Sequence, residues 1–283
     1  MAPPVSFEIR REGRWKLLIR PESWSRELWA EIRERVAAAA ARKHPQTCRL
    51  AAGYYLKIYS PPRGAARLKD LLRNSKALRA LKQTEALSRF GFQAPPVVAA
   101  GEERAGRTLL SAFLLTRQIA AQPLKQVLRE RFVPPLDSSA VRRKRQWIAQ
   151  LAREVRRMHR NGFVHGDLVA SNVFVGFDAV GGAIIYLMDH DRTRRYPRGM
   201  PHRLWRRNLV QLNRIVLPGV SLQDRMRFAR AYLGKDRWGK TERRLIRWLE
   251  RRTRRRRKEC ERIEAKVSFR ELMRWNGPFA KKL

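Results

Sequence analysis

The stretch from Met158 to Val175 constrains this chain more than any other. A helical pattern ends at Gly162, a turn carries His165-Gly-Asp167, and Asn172 follows Asp167 by five positions at the start of a short apolar run. A loop of that length can set one carboxylate beside a hydroxyl nucleophile and return an amide oxygen to a phosphate-bound metal. Downstream, the apolar run Ile184 to Met188 delivers Asp189 at its end, as a ligand for a hard cation requires. Asp191 either ligates metal as well or pairs with Arg192, Arg194 or Arg195. The runs Val173 to Phe177 and Ala183 to Met188, separated by the Asp178 to Gly182 turn, predict a hairpin between the two acidic elements.

The rest of the chain organises around these elements. Leu50 to Tyr59 is rich in aromatic and β-branched residues, ends at Pro61, and predicts a strand carrying Lys57. From Leu68 to Phe90 the leucines at 71, 72, 78, 81 and 87 recur at helical spacing, with Gly91 as the stop, predicting one or two helices. Pro95 to Ala100 and Thr108 to Leu115 predict strands joined by a turn from Gly101 to Gly106. Beyond Thr116 and Arg117 the pattern turns helical, from Leu124 to Phe132 and then from Val141 to Arg160, where Trp147, Ile148, Leu151 and Val155 form the apolar face. The expectation is an α+β fold of two lobes, a β-rich N-lobe over residues 1–116 and a mainly helical C-lobe over 117–283.

With Lys57 upstream and the strand ending in Asp189 downstream, the His-Gly-Asp-Leu loop resembles the catalytic loop of the kinase superfamily. That resemblance implies a bilobal protein-kinase-like fold using ATP and Mg2+. In the family pattern an Asp orients the attacking hydroxyl, an Asn and a strand-end Asp hold magnesium, and a strand lysine, positioned by a helix Glu, neutralises the phosphates. Carried over residue by residue, these are Asp167 as the catalytic acid-base, Asn172 and Asp189 as metal ligands, and Lys57 on the nucleotide. Glu85, the only acid between Asp70 and Glu102, becomes the default partner of Lys57. Gly166 occupies the place of the arginine in the protein-kinase His-Arg-Asp triplet, the form found in sugar and small-molecule kinases. A glycine-rich phosphate loop is not recognisable around Gly53. From Lys57 to Asn213 the chain resembles the lipopolysaccharide kinase (Kdo/WaaP) family. Arg89-Phe-Gly-Phe-Gln-Ala-Pro-Pro-Val-Val-Ala-Ala-Gly is similar to that family's helix-to-strand passage, and Met188-Asp-His-Asp-Arg to its Ile-Asp-Phe-Asp-Arg. Asn208 departs from the acidic residue such proteins often carry there. The resemblance implies ATP-dependent phosphorylation of a Kdo or heptose sugar of the lipopolysaccharide inner core.

Charge points the same way. Lys and Arg number 64 against 25 Asp and Glu, a formal net charge of +39, which calls for a polyanionic partner. An anionic lipopolysaccharide core supplies one, with peripheral contact on the inner face of the inner membrane and no nucleic acid expected. Arg251 to Lys258 is the candidate contact strip. Cys48 and Cys260 form neither a metal-ligand pair nor a disulfide framework. They suggest free thiols, and the lack of a signal-like start or a spanning run suggests a cytoplasmic protein. Two alternatives keep the fold and change the activity. One is a kinase acting on a protein or another small-molecule acceptor, and the other a kinase-shaped binding protein for anionic lipid or nucleic acid.

Overall fold

The computed structural model describes residues 7–39, 46–51, 53–61, 71, 73–133, 135–197, 203–217 and 219–259. Leu68, Leu72, Cys260 and the side chain of Lys258, invoked above, lie outside the described residues. The chain forms two compact units, Met1–Ile119 with Asp189–Arg192, and Ala120–Met188 with Thr193–Leu283.

In the N-terminal unit the strands are β1 (Glu8–Glu12), β2 (Trp15–Ile19), β3 (Gln46–Leu50), β4 (Tyr54–Tyr59), β5 (Val97–Ala105) and β6 (Thr108–Arg117). They pair antiparallel in the order β1-β2-β5-β6-β4-β3. Alternation of side chains across the sheet sorts its residues into two cores. Leu17, Ile19, Phe113 and Leu115 meet Leu28, Trp29 and Ile32 of α1 (Arg26–Ala39) on one face. Tyr59, Ala112 and Leu114 meet Ala77, Leu78 and Leu81 of α2 (Lys76–Arg89) on the other. Ser75 caps α2 by accepting from the Leu78 amide, and the chain leaves the helix at Gly91, with φ of 73°.

Two sequence expectations change here. The segment Leu50 to Tyr59 is not one strand: Gly53, at φ 73°, turns the chain between β3 and β4. The Gly101 to Gly106 turn is also shorter than expected, because β5 runs on to Ala105 and only Gly106, at φ 57°, makes the reversal. Gly101 serves packing instead, since a Cβ there would lie 2.3 Å from the ring of Phe113.

The C-terminal unit begins with β7 (Ala121–Pro123) and α3 (Leu124–Arg131), followed by α4 (Ser138–Arg160), capped by Asp137. Next come β8 (Phe163–Val164), the hairpin β9 (Val173–Phe177) and β10 (Ala183–Leu187), and β11 (Arg194–Arg195). The helices α5 (Arg203–Leu212), α6 (Leu222–Leu233) and α7 (Lys240–Glu259) complete it. β7, β9 and β10 form a three-stranded sheet, and β11 pairs with β8. On α4, Trp147 packs between Phe132 and Phe177, with ring centroids 5.0 and 4.9 Å away. The turn from α4 into β8 depends on Gly162, at φ 82°, whose backbone lies so close to Tyr196 that a Cβ would sit 2.1 Å from its carbonyl oxygen. Among the described residues no helix is long and apolar enough to cross a membrane.

Candidate active site

In the N-terminal unit, β4 buries Leu56 and Ile58 on one side of the sheet and turns Lys57 to the other. The Lys57 ammonium donates to Asp189 Oδ1 at 2.5 Å and lies 5.1 Å from the centre of the Tyr59 ring. Asp189 is the one non-glycine described residue at positive φ, 63°. Such backbone costs on the order of 1–3 kcal/mol and persists where surrounding structure imposes it. The turn that follows, His190–Arg192, packs on α2. Burial and then the neighbouring charge of Asp189 raise the Asp191 carboxyl above its ordinary range, against the attraction of Lys57, Arg192 and Lys76. Burial, then Asp191 and Asp189, likewise push the Tyr59 phenol well up. Two carboxylates crowd one lysine, a donor set that suits an added cation.

The structure does not form the expected Lys57–Glu85 pair. Glu85 lies in the last turns of α2, where its carboxylate accepts from Arg20 at 3.0 Å, while Lys57 is taken by Asp189. The reason is register, since the position of Glu85 along the helix brings it beside the chain leaving β2.

In the C-terminal unit, Asp167 and Asn172 come together as one loop. Asn172 donates its amide to the Asp167 carbonyl at 3.0 Å, leaving its Oδ1 as an acceptor suited to a hard cation. Its own carbonyl accepts from Met188 N at 2.9 Å, tying the loop to the end of β10. Gly166 takes φ of 78°, which explains glycine between His165 and Asp167.

Two residues brace this loop from α5: Asn208, which stands where the family often carries an acidic residue, and Gln211, which no sequence motif singles out. Gln211 donates through Nε2 to the Gly166 carbonyl at 3.1 Å and to Asp167 Oδ1 at 3.3 Å. Its Oε1 accepts from Leu168 N at 3.2 Å and from Asn208 Nδ2 at 3.0 Å. These four contacts fix which end of the amide faces Asp167. Asn208 is fully buried, and its Oδ1 accepts from His165 N at 3.0 Å. It therefore supplies the acceptor that an acidic residue would supply, without a buried charge. The helical offset from Asn208 to Gln211 was the available signal, since residues three apart share a helix face.

Gln211→Met keeps the side-chain length but removes all four contacts, leaving the Asp167 carboxylate without the group that orients it.

The same network continues to His159, whose ring contacts Tyr232 Oη at 2.8 Å and Asn208 Oδ1 at 3.2 Å and stacks on Trp205. Burial pushes His159 down to about 4, overriding the Asn208 hydrogen bond. The folded protein thus keeps His159 neutral at pH values where the unfolded chain takes up a proton, so stability falls as pH drops from about 6.5 to about 4 and this contribution levels off below. The loss should be on the order of 3 kcal/mol. Urea unfolding at pH 7 and pH 4.5 should show it, and His159→Gln should flatten it.

Among the described residues no cluster of three or more His, Cys, Asp or Glu side chains is arranged to hold a metal. Magnesium sites commonly use one or two protein oxygens with phosphates and water.

Comparison with known proteins follows the same lines. The model of the lipopolysaccharide kinase (Kdo/WaaP) family matches residues 27–232. Among solved structures, "WaaP in complex with acyl carrier protein" is similar at a TM-score of 0.57 and 21% identity, over 84% of this chain and 98% of that one. At that identity the likeness carries the fold, a kinase-like one. No curated protein sequence matches the chain.

Proposed function

Because the chain belongs to the lipopolysaccharide kinase (Kdo/WaaP) family, we propose that it transfers the γ-phosphate of ATP to a hydroxyl of a Kdo or heptose sugar in the lipopolysaccharide inner core. The observation that carries this reading is the Asp167–Asn172 loop, held by Gln211 and Asn208. Asp167 orients the sugar hydroxyl and accepts its proton as the oxygen attacks phosphorus. The bond to the bridging oxygen of ADP breaks, and ADP leaves with that electron pair. Lys57 neutralises phosphate charge, and its contact with Asp189 aligns it for that role. Asn172 and Asp189 would hold magnesium, which when bound offsets the negative charge of the phosphates. Glu85 is not assigned to the nucleotide, since Arg20 engages it.

The test is magnesium-dependent incorporation of label from ATP into dephosphorylated lipopolysaccharide core. Incorporation supports the sugar-kinase reading. Labelling of a protein or another small molecule with none into core supports the alternative acceptor, and ATP turnover absent throughout supports a binding protein.

An accessory partner forms part of the proposal. The WaaP of similar fold was captured with acyl carrier protein, and the C-terminal unit here contains an apolar cavity of about 900 Å³ lined by Leu128, Trp147, Leu151, Leu212, Phe228 and Leu249 among others. A cavity of that size and chemistry has room for an acyl chain. Added acyl carrier protein should then raise the yield and melting temperature of the purified chain.

A further inference from the structure

The helix α7 carries its cations on one side. At about 100° per residue, Lys240, Arg243, Arg244, Arg247, Arg251, Arg254 and Arg255 fall within an arc of about 120°. All seven are exposed and no acidic residue lies inside that arc. Glu250 sits at one edge, paired to Arg254 at 2.5 Å. The opposite side is apolar, with Leu245, Ile246 and Leu249 lining the cavity and Thr253 buried. The surface therefore differs from the consecutive run Arg251 to Lys258 expected from sequence: Arg257 turns inward and donates to the Asn213 carbonyl at 2.7 Å, while the cationic stripe begins at Lys240. It extends roughly 22 Å along a straight helix. It also lies beyond residue 232, outside the stretch matched by the family model.

We infer that this stripe is a docking surface for an anionic lipid bilayer. Charge complementarity selects a partner with many phosphates along a line, and a bilayer offers them in a plane. The rim of the stripe favours a bilayer over a nucleic acid. Trp248, half-buried at the other edge under the Arg206 guanidinium, and Leu204, 40% exposed on the helix packed against α7, are residues suited to a membrane–water interface. The stripe itself presents no aromatic platform for bases. The choice of a bilayer rests on the proposed acceptor being lipid-anchored. The stripe then holds the enzyme at the surface from which that acceptor projects.

The experiment is sedimentation of the full chain with vesicles containing phosphatidylglycerol at about 0.15 M salt, where surface charge acts over only about 8 Å. Arg243→Glu/Arg247→Glu/Arg251→Glu should bind at least a hundredfold more weakly, since each well-placed arginine contributes roughly fivefold. Arg142→Glu/Arg145→Glu/Arg153→Glu, with the same change of charge on exposed positions of α4, should bind nearly as the unmodified chain does. Equal loss in both triples, unchanged binding in the α7 triple, or duplex DNA bound more tightly than the vesicles would overturn the inference. Vesicle binding requires no ATP, so binding without transfer to core defeats the kinase reading alone, whereas transfer without binding defeats the docking surface alone.

Discussion

Asp167→Asn is expected to lower phosphate transfer by about 10²–10⁴-fold, the range for loss of a positioned general base. Asp167 is half-buried, and its carbonyl still accepts from Asn172 Nδ2 when only the side chain changes. An asparagine keeps the shape and can still offer an oxygen to Gln211 Nε2, but it cannot take the proton of the attacking hydroxyl. The expected signature is a collapse of kcat with nucleotide affinity and melting temperature both retained. Retention of more than a tenth of the rate would place the base elsewhere. Gln211→Met should produce a smaller loss in the same parameter, and combining it with Asp167→Asn should add little, because residues that act as a unit are strongly non-additive.

The largest effect on stability should come from Asp224→Ala, far from the chemistry in sequence and role. Asp224 Oδ2 accepts from the buried Lys144 ammonium at 2.5 Å, linking α4 to α6. The same oxygen accepts from Ser221 N and Oγ, each at 3.0 Å, and Asp224 N donates back to Ser221 Oγ, completing a capping box at the start of α6. The side chains of Lys144 and Asp224 are only 9% and 8% exposed. Truncating the acid therefore strands a buried ammonium and uncaps a helix. The expected cost is about 3–5 kcal/mol, read as a lower denaturant midpoint. Lys144→Met in the same background should recover part of it, because the stranded charge goes with it. If the double variant were no more stable than Asp224→Ala, the helix cap rather than the ion pair would account for the loss.

Much of the local structure was legible in the amino-acid order. The apolar spacing of α4, the hairpin of β9 and β10, and the stop of α2 at Gly91 follow from periodicities and turn residues that act within a few positions. The loop that brings Asp167 and Asn172 together was legible for the same reason: both residues lie in one short segment. The basic tail showed its charge, although only helical geometry separates the seven outward cations from Arg257.

What sequence determined here is therefore local: element types, the spacing of Asp167 and Asn172 within one loop, and a formal net charge of +39. Tertiary structure alone decided which groups meet. The strand order β1-β2-β5-β6-β4-β3 brings together segments far apart in the chain. Lys57 meets Asp189 instead of Glu85, which Arg20 takes, and Gln211 of α5 reaches Asp167 from 44 positions away in the chain. Such pairings depend on the register of packed elements. A register shift of one residue turns a side chain to the opposite face of a strand or about 100° around a helix, so composition and spacing leave the partner open until the packing sets it.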